Sequence, residues 1–336
     1  MTTIKGSAPV RVCDAGGWTD TWFAREGFVC SVAVAPGAEV VLELDNARGP
    51  TTIEIRSTGE RITVARDGPV PGRYAWLEDA VVRNLPPDDR GARLRIATGV
   101  PEGSGTGTSA AVLVALLAVL RTAREEHFDP DSLAREAHAV ETGLARQSGV
   151  QDQYAAAHGG ANLMHVNPYP SATVRPIALD DDVVRELDER LLTVYLGRPH
   201  DSSRVHEQVI ASLENDPGRE AKLGALREAA RAAADALDQG DIDGFGAVLV
   251  ENTRVQAGLH SGLVNADARE VIQLAQQHGA AGYKVNGAGG DGGTVTVVGP
   301  ADTQAQREMA AAIERVSKWR RLPLQFAHHG ARVTIE

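Results

Sequence analysis

Apolar positions in the first hundred residues fall in short β-branched runs, at 9–13, 28–35, 38–44, 51–55 and 92–97, divided by Gly, Pro, Asn or Asp. Such runs between turn residues predict strands, and together they predict one mainly antiparallel sheet. Residues 60–88 read as a connector with a short strand at Ile62-Thr63-Val64, an aromatic Tyr74-Ala75-Trp76 and a helix that stops before Pro86. After residue 97 the pattern changes. A glycine-rich turn, Gly99 to Gly107, leads into Thr108-Ser109 and an unbroken apolar run from Ala110 to Leu120. A helix that is apolar on all sides belongs in the interior.

Asp131 or Ser132 is suited to cap the next helix, whose Leu133, Ala137, Val140 and Leu144 recur at helical spacing, with Glu141 beside the stripe. Gly149 breaks that pattern. A shorter helix carries Asp152 to Ala157, and Gly159-Gly160 stops it before a strand at 161–166. From Leu191 the chain reads as a strand at 191–196, two or three long helices, strands at 282–285 and 294–298 joined by a glycine-rich turn, a helix, and a strand at 323–326. This second layer predicts helices packed on one face of an antiparallel sheet. With no long linker between them, the two halves are expected to share an interface.

Composition narrows the function. The 336 residues are 43 % hydrophobic and 24 % charged, and 34 basic against 45 acidic side chains leave a formal charge of −11. A surface of that sign disfavours nonspecific contact with nucleic acid or anionic lipid. The longest apolar run, Ala110 to Leu120, is 11 residues, well short of the ~20 that span a bilayer. The amino terminus lacks the pattern of an export signal, and Cys13 and Cys30 match no zinc or redox spacing. A cytoplasmic protein with buried thiols is expected, with a homodimer left open. The ten histidines suggest surface or pocket-rim roles, since His200 and His206, or the His328-His329 pair, lack a metal-binding framework.

The most informative segment is Gly103-Ser104-Gly105-Thr106-Gly107-Thr108-Ser109, between a strand and a buried helix. Glycines let backbone N–H groups approach an anion, and the helix start adds unsatisfied donors and partial positive charge, so phosphate is its natural ligand. A Walker-type loop needs Lys before the Ser or Thr and is excluded; the dinucleotide fingerprint needs glycine where Thr108 stands. Glu141 and Asp152, eleven residues apart, would be separated by ~16 Å on one straight helix. The break at Ser148-Gly149 lets the chain fold back and bring both towards the loop. Arg11, on a predicted buried strand, needs an anion. It leads into Ala15-Gly16-Gly17-Trp18-Thr19-Asp20, where an aromatic face, a hydroxyl and a carboxylate suit a polyol. A third glycine-rich segment, Gly287 to Gly293, follows Lys284 and carries more glycine than a hairpin needs.

Three such segments in this order resemble the GHMP kinases. The match runs through Ala8-Pro9-Val10-Arg11 with Gly16 to Asp20, Pro101 to Ala111, and Gly287 to Gly293. Gly-Gly-Trp-Thr-Asp-Thr and Gln151-Asp152-Gln153-Tyr154 resemble the sugar-kinase branch of D-glycero-D-manno-heptose 7-phosphate kinase and L-fucokinase. Thr106 and Thr108 stand where the family pattern has Leu and Ser, and Asp291 where it usually has glycine.

The resemblance implies an α+β fold with an N-terminal mixed sheet and helices in residues 1–170, and a ferredoxin-like antiparallel sheet with helices in 171–336. It implies ATP and Mg²⁺, with ATP at Gly103, Ser104, Gly105, Thr106, Gly107, Thr108 and Ser109, supported by Gly289 and Gly290. The metal would lie on Ser109 and Glu141. Asp152 takes the position of the catalytic aspartate and Arg11 that of its basic partner, while Trp18, Thr19, Asp20, Gly160 and Lys284 fall to the substrate, a small sugar or sugar phosphate. Heptose 7-phosphate leads as substrate, with phosphorylation at the anomeric hydroxyl; fucose, arabinose and uronic acids follow. An ATP-dependent decarboxylase and a non-catalytic sugar or nucleotide sensor are the rival readings.

Overall fold

The computed structural model describes residues 2–65, 72–86, 90–143, 148–199 and 202–336. Strand β1 (Thr2–Ala15) pairs antiparallel with β2 (Gly27–Arg48) along most of its length. The runs expected as separate strands at 28–35 and 38–44 form this single β2 of 22 residues. Pro36-Gly37 reads as a break, yet it lies where the pairing shifts register between Ala8 and Val10. A bulge accommodates a residue that cannot donate a ladder hydrogen bond.

Next come β3 (Thr51–Ile55), β4 (Glu60–Thr63), α1 (Ala75–Asn84) and β5 (Arg90–Thr98). β5 pairs antiparallel with β2 and parallel with β3, so the sheet is mixed. Helix α2 (Thr108–Ala123) is buried at every position from Ala110 to Leu120, as its apolar circumference requires. It packs against β1 and β2 and against α1, α3 (Pro130–Gly143) and α4 (Gln151–His158). The cap of α3 is earlier than expected: Asp129 Oδ1 accepts from the Ser132 N–H at 2.9 Å, which leaves Pro130 at the first helical position, where a missing N–H costs nothing. Leu133, Ala137 and Val140 are buried as the stripe predicts; Leu144 lies outside the described residues.

β6 (Ala161–Val166) pairs with the first half of β2, and β7 (Ala172–Ile177) pairs with β6. Helix α5 (Asp181–Arg190), capped by Asp180, leads into β8 (Leu191–Tyr195). Four helices follow rather than two or three: α6 (Ser202–Leu213), α7 (Arg219–Asp238), α8 (Ile242–Ala257) and α9 (Ala266–Gln277). Then come β9 (Gly282–Val285), β10 (Thr294–Val298) and α10 (Thr303–Glu314). The expected strand at 323–326 is replaced by β11 (Arg320–Leu322) and β12 (Gln325–Phe326), and β13 (Arg332–Ile335) ends the order.

The second sheet runs β11-β8-β10-β9 and is antiparallel throughout. Ala268 and Val271 of α9 and Met309 and Ile313 of α10 form one core with its Val194, Val295 and Val297. β12 pairs with β2 and β13 with β1, so strands from far along the chain complete the first sheet, which has nine strands among the described residues. A smaller cluster gathers Trp18 with Val209 of α6, Leu226 of α7 and Val255 of α8. Cys13 and Cys30 are buried free thiols. Among the described residues no helix is long and apolar enough to cross a membrane.

Candidate active site

The turn between β5 and α2 holds Gly103, Gly105 and Gly107 at φ of +68°, +76° and +76°. Gly107 is constrained twice, because a Cβ there would also lie 3.0 Å from Asp152 Cγ. The loop hydroxyls divide by direction. Ser104 Oγ lies 2.7 Å from Thr106 Oγ1 and 3.2 Å from Thr108 Oγ1, with Ser104 and Thr106 fully buried. Thr106 therefore stitches the loop from beneath and does not line the cleft, whereas Gly103, Ser104, Gly105, Gly107, Thr108 and Ser109 do. Two further bonds moor the loop: Arg11 N–H to Thr106 O at 3.0 Å, and Thr294 Oγ1 to Ser104 O at 2.9 Å. Gly107→Ala would force a left-handed residue with a Cβ against Asp152. It should cost about 1–2 kcal/mol of stability and lower turnover, checked by thermal unfolding and steady-state kinetics of the same sample.

Ser109, in the first turn of α2, donates to Glu141 Oε1 at 3.0 Å. The other carboxylate oxygen of Glu141 accepts from Gln153 Nε2 at 2.6 Å and Ser148 Oγ at 3.2 Å. These partners fix the carboxylate's orientation. Asp152, the second residue of α4, accepts at Oδ1 from Arg11 Nε at 2.9 Å, with Arg11 Nη2 at 2.8 Å. The Arg11 side chain is 3 % exposed and that of Asp152 28 %, so the pair is anchored in the protein and its acid reaches the cleft. Burial alone would depress the Arg11 guanidinium, but Asp14, Asp152 and Asp20 outweigh it and hold it above its ordinary value.

Lys284 does not face the cleft. It is 1 % exposed, donates to Gln256 Oε1 at 2.8 Å and lies 3.5 Å from Asp14 Oδ1. Burial pulls its ammonium below the ordinary range, against the opposing influence of Asp14. Asp14, fully buried, also accepts from the Gly287 N–H at 3.1 Å and lies 3.7 Å from Arg11. The third glycine segment reaches the loop through Gly287, where a Cβ would meet Gly105 O at 2.7 Å. Gly289 and Gly290 instead back onto Leu263, with Gly290 N–H bonded to Leu263 O at 3.1 Å. Asp291 is exposed.

The turn after β1 also divides its residues. Trp18 and Asp20 line the cleft, but Thr19 Oγ1 is buried, donating to Gly16 O at 2.8 Å and accepting from Phe28 N–H at 3.1 Å. Thr19 holds the turn, and its neighbour Thr21 lines the cleft. Gly160 belongs to a strand junction, its N–H bonded to Ala327 O at 2.7 Å, and does not line the cleft. Asp20 is 1 % exposed and accepts from Gln151 N–H at 3.1 Å. Burial pushes its carboxyl up to about 6, assisted by Asp152 and opposed by that hydrogen bond.

These groups share one cleft of about 460 Å³. Its lining also includes the apolar Ile55, Tyr74, Trp76, Leu77, Ile96 and Val112, all part of the main core. Sequence reasoning noticed the aromatic pair only as part of a connector, gave His206 a surface or rim role where it lines the cleft, and gave no role to Asp14, Gln151 or Thr21; His200 lies outside the described residues. A buried carboxylate between two cations is a tertiary fact with no spacing signal. Among the described residues no group of three His, Cys, Asp or Glu could hold a metal alone. An ion held by Ser109 and Glu141 therefore needs oxygens from a ligand as well.

A phosphate-type loop, an acid paired with a hydroxyl at a helix start, and a second acid on an arginine are the parts that phosphoryl transfer calls for. The family models agree: that of the GHMP kinases N terminal domain matches residues 74–160, and that of the GHMP kinases C terminal matches 233–317. The chain belongs to the GHMP kinases, ATP-dependent phosphotransferases with an alcohol group as acceptor. Its curated relatives include sugar kinases. The bifunctional fucokinase/GDP-fucose pyrophosphorylase of Arabidopsis thaliana is 24 % identical over 92 % of this chain, which spans only 31 % of that protein. The D-glycero-alpha-D-manno-heptose 7-phosphate kinase of Campylobacter jejuni is 22 % identical, covering 87 % of this chain and 88 % of its own. A galactokinase of Mycobacterium tuberculosis is 27 % identical, covering 94 % and 93 %. In fold, the chain is similar to a D-glycero-D-manno-heptose 1-phosphate kinase structure from Bacteroides thetaiotaomicron, with a TM-score of 0.77, 20 % identity and 98 % of each chain covered.

Proposed function

We propose that the protein transfers the γ-phosphoryl group of ATP to a sugar hydroxyl, with the anomeric hydroxyl of a heptose 7-phosphate as the first candidate. The observation that carries this reading is the meeting of the glycine loop, the Ser109–Glu141 pair and the Arg11–Asp152 pair in one cleft. The apolar side chains of the lining, Tyr74 and Val112 among them, suit a nucleobase. From there the loop backbone and the start of α2 receive the phosphates. Ser109 and Glu141 present hard oxygen donors 3.0 Å apart, the chemistry magnesium requires when phosphates complete its shell. Bound there, the ion would offset charge on the phosphate oxygens.

Asp152 orients or deprotonates the acceptor hydroxyl, and Arg11 keeps its carboxylate aimed at the cleft. Trp18 supplies an apolar wall and Asp20 a hydrogen-bond acceptor for the sugar. Fucose, arabinose and uronic acids are the alternatives on the same machinery. An ATP-consumption screen over these sugars, with products located by phosphorus NMR, tests the reading. A phosphosugar supports it; release of carbon dioxide from a diphosphorylated acid, or binding without turnover, replaces it with a decarboxylase or a sensor.

A further inference from the structure

Lys284 is buried away from the cleft, and the transfer proposed above gives it no part. Its Nζ faces three acceptors: Gln256 Oε1 at 2.8 Å, the Val285 carbonyl oxygen, and Asp14 Oδ1 at 3.5 Å. An ammonium has three N–H donors and a neutral amine only two, so three acceptors around one nitrogen fit the charged form. Asp14 in turn is fully buried, and its carboxylate meets two cations, Lys284 and Arg11, together with the Gly287 N–H.

The backbone is bent into this arrangement. On a regular strand residues three apart point to opposite faces, yet Arg11 Nη1 lies 3.7 Å from Asp14 Oδ1. Cys13 stands between them at φ +58°, where the β1–β2 register shifts between Val12 and Ala15. Its N–H donates to Asn286 Oδ1 at 3.0 Å, two residues beyond Lys284. A non-glycine residue in the left-handed region persists where its surroundings over-determine it, and such positions cluster at functional sites. Arg11 then reaches the cleft directly: Nε and Nη2 hold Asp152 Oδ1, and Nη1 donates to Gly105 O of the glycine loop.

We propose that Lys284 and Asp14 are positioning residues for Asp152. The Lys284 ammonium neutralises Asp14, so the Arg11 guanidinium stays committed to Asp152 instead of turning to the buried carboxylate beside it. Without that ammonium, Arg11 would be the one cation facing Asp14 among the described residues. A buried carboxylate left unbalanced is strongly unfavourable, and drawing Arg11 towards it is the nearest relief. Asp152 would then lose the anchor that aims it at the acceptor. The inference rests on the phosphoryl-transfer reading above, in which Asp152 orients or deprotonates the acceptor hydroxyl.

Turnover of folded protein with ATP and the best sugar of the screen tests it. Lys284→Met, apolar and uncharged, should lower kcat about tenfold to a hundredfold, the cost of misplacing a reacting group by about an ångström. Adding Asp14→Asn removes the charge that needs balancing and keeps an oxygen for the Gly287 N–H, so the double variant should regain most of that loss. A merely structural pair predicts the reverse, a double variant at least as impaired as the single. Wild type and Asp14→Asn supply a second readout should Lys284→Met not fold. Burial pulls the Lys284 ammonium below its ordinary range, with Asp14 and Cys13 opposing and Arg11 adding to the effect. Wild-type kcat should therefore fall as alkaline pH removes this proton, and Asp14→Asn should lack that fall. Wild-type kcat in folded Lys284→Met, no rescue in the double variant, or an alkaline fall absent from wild type or unchanged in Asp14→Asn overturns the inference while the transfer reading stands. If wild type phosphorylates no sugar, that reading fails and takes this inference with it.

Discussion

Asp152→Asn should lower kcat by roughly two to four orders of magnitude, the usual range for loss of a general base, while the fold survives. Asparagine keeps the size of the side chain and an oxygen for Arg11, whose Nε and Nη2 now share Asp152 Oδ1 at 2.9 and 2.8 Å. What it loses is the negative charge that draws a proton from the acceptor. Nucleotide affinity should change little, because the substitution preserves the side-chain shape packed against Gly107 and leaves Arg11 bonded to Gly105 O. Pre-steady-state measurement of phosphoryl transfer, with nucleotide binding followed by calorimetry, separates the two effects. A folded Asp152→Asn protein with wild-type turnover would remove this residue from the chemistry.

Asp20→Asn is expected to make the protein more stable and a poorer enzyme. The Asp20 carboxyl titrates at about 6 in the fold, with burial as the main cause, against about 4 in an unfolded chain. Between those values the folded protein holds a proton that the unfolded one has released. Stability therefore falls as pH rises from about 4 to about 6, and the deficit persists above that window. Replacing the charge with an amide should recover on the order of 2–3 kcal/mol at pH 8, from about two pKa units at 1.36 kcal/mol each. The same change removes a charged acceptor from the cleft, so kcat/KM for the sugar should drop roughly tenfold to a hundredfold. In wild type, kcat/KM should rise as pH passes about 6. Denaturant unfolding at pH 4 and pH 8 checks the sign: a variant no more stable than wild type at pH 8 would show that burial of Asp20 carries no such penalty.

Much of this site is legible in the sequence because its parts are local. Three alternating glycines before an apolar helix start can be read without tertiary knowledge, as can a helix break that returns Asp152 to Glu141. An arginine on a buried strand announces an anion partner, and Asp152 proved to be one. Direction is harder to read. Lys284, Thr19 and Gly160 lie near the right segments, but each is turned inward: onto Asp14 and Gln256, onto Gly16 and Phe28, and onto Ala327. Which way a residue on a buried turn faces is set by the folded surroundings, and some of those partners lie far along the chain, as Asp14 does from Lys284 and Ala327 from Gly160. The fold shows the same divide. Long periodic runs such as Ala110 to Leu120 behave as their pattern dictates, whereas β13 is short and mostly exposed, and it is placed by pairing with β1 and by Val333 against the core.

The anion loop hangs from two separate supports, Arg11 of the first sheet through Thr106 and Thr294 of the second through Ser104. Neither layer by itself therefore owns a finished cradle. On the proposed reading, a chain divided between the layers would lose one of the loop's two supports, and any rocking of one layer against the other would be felt first where the phosphates are to sit.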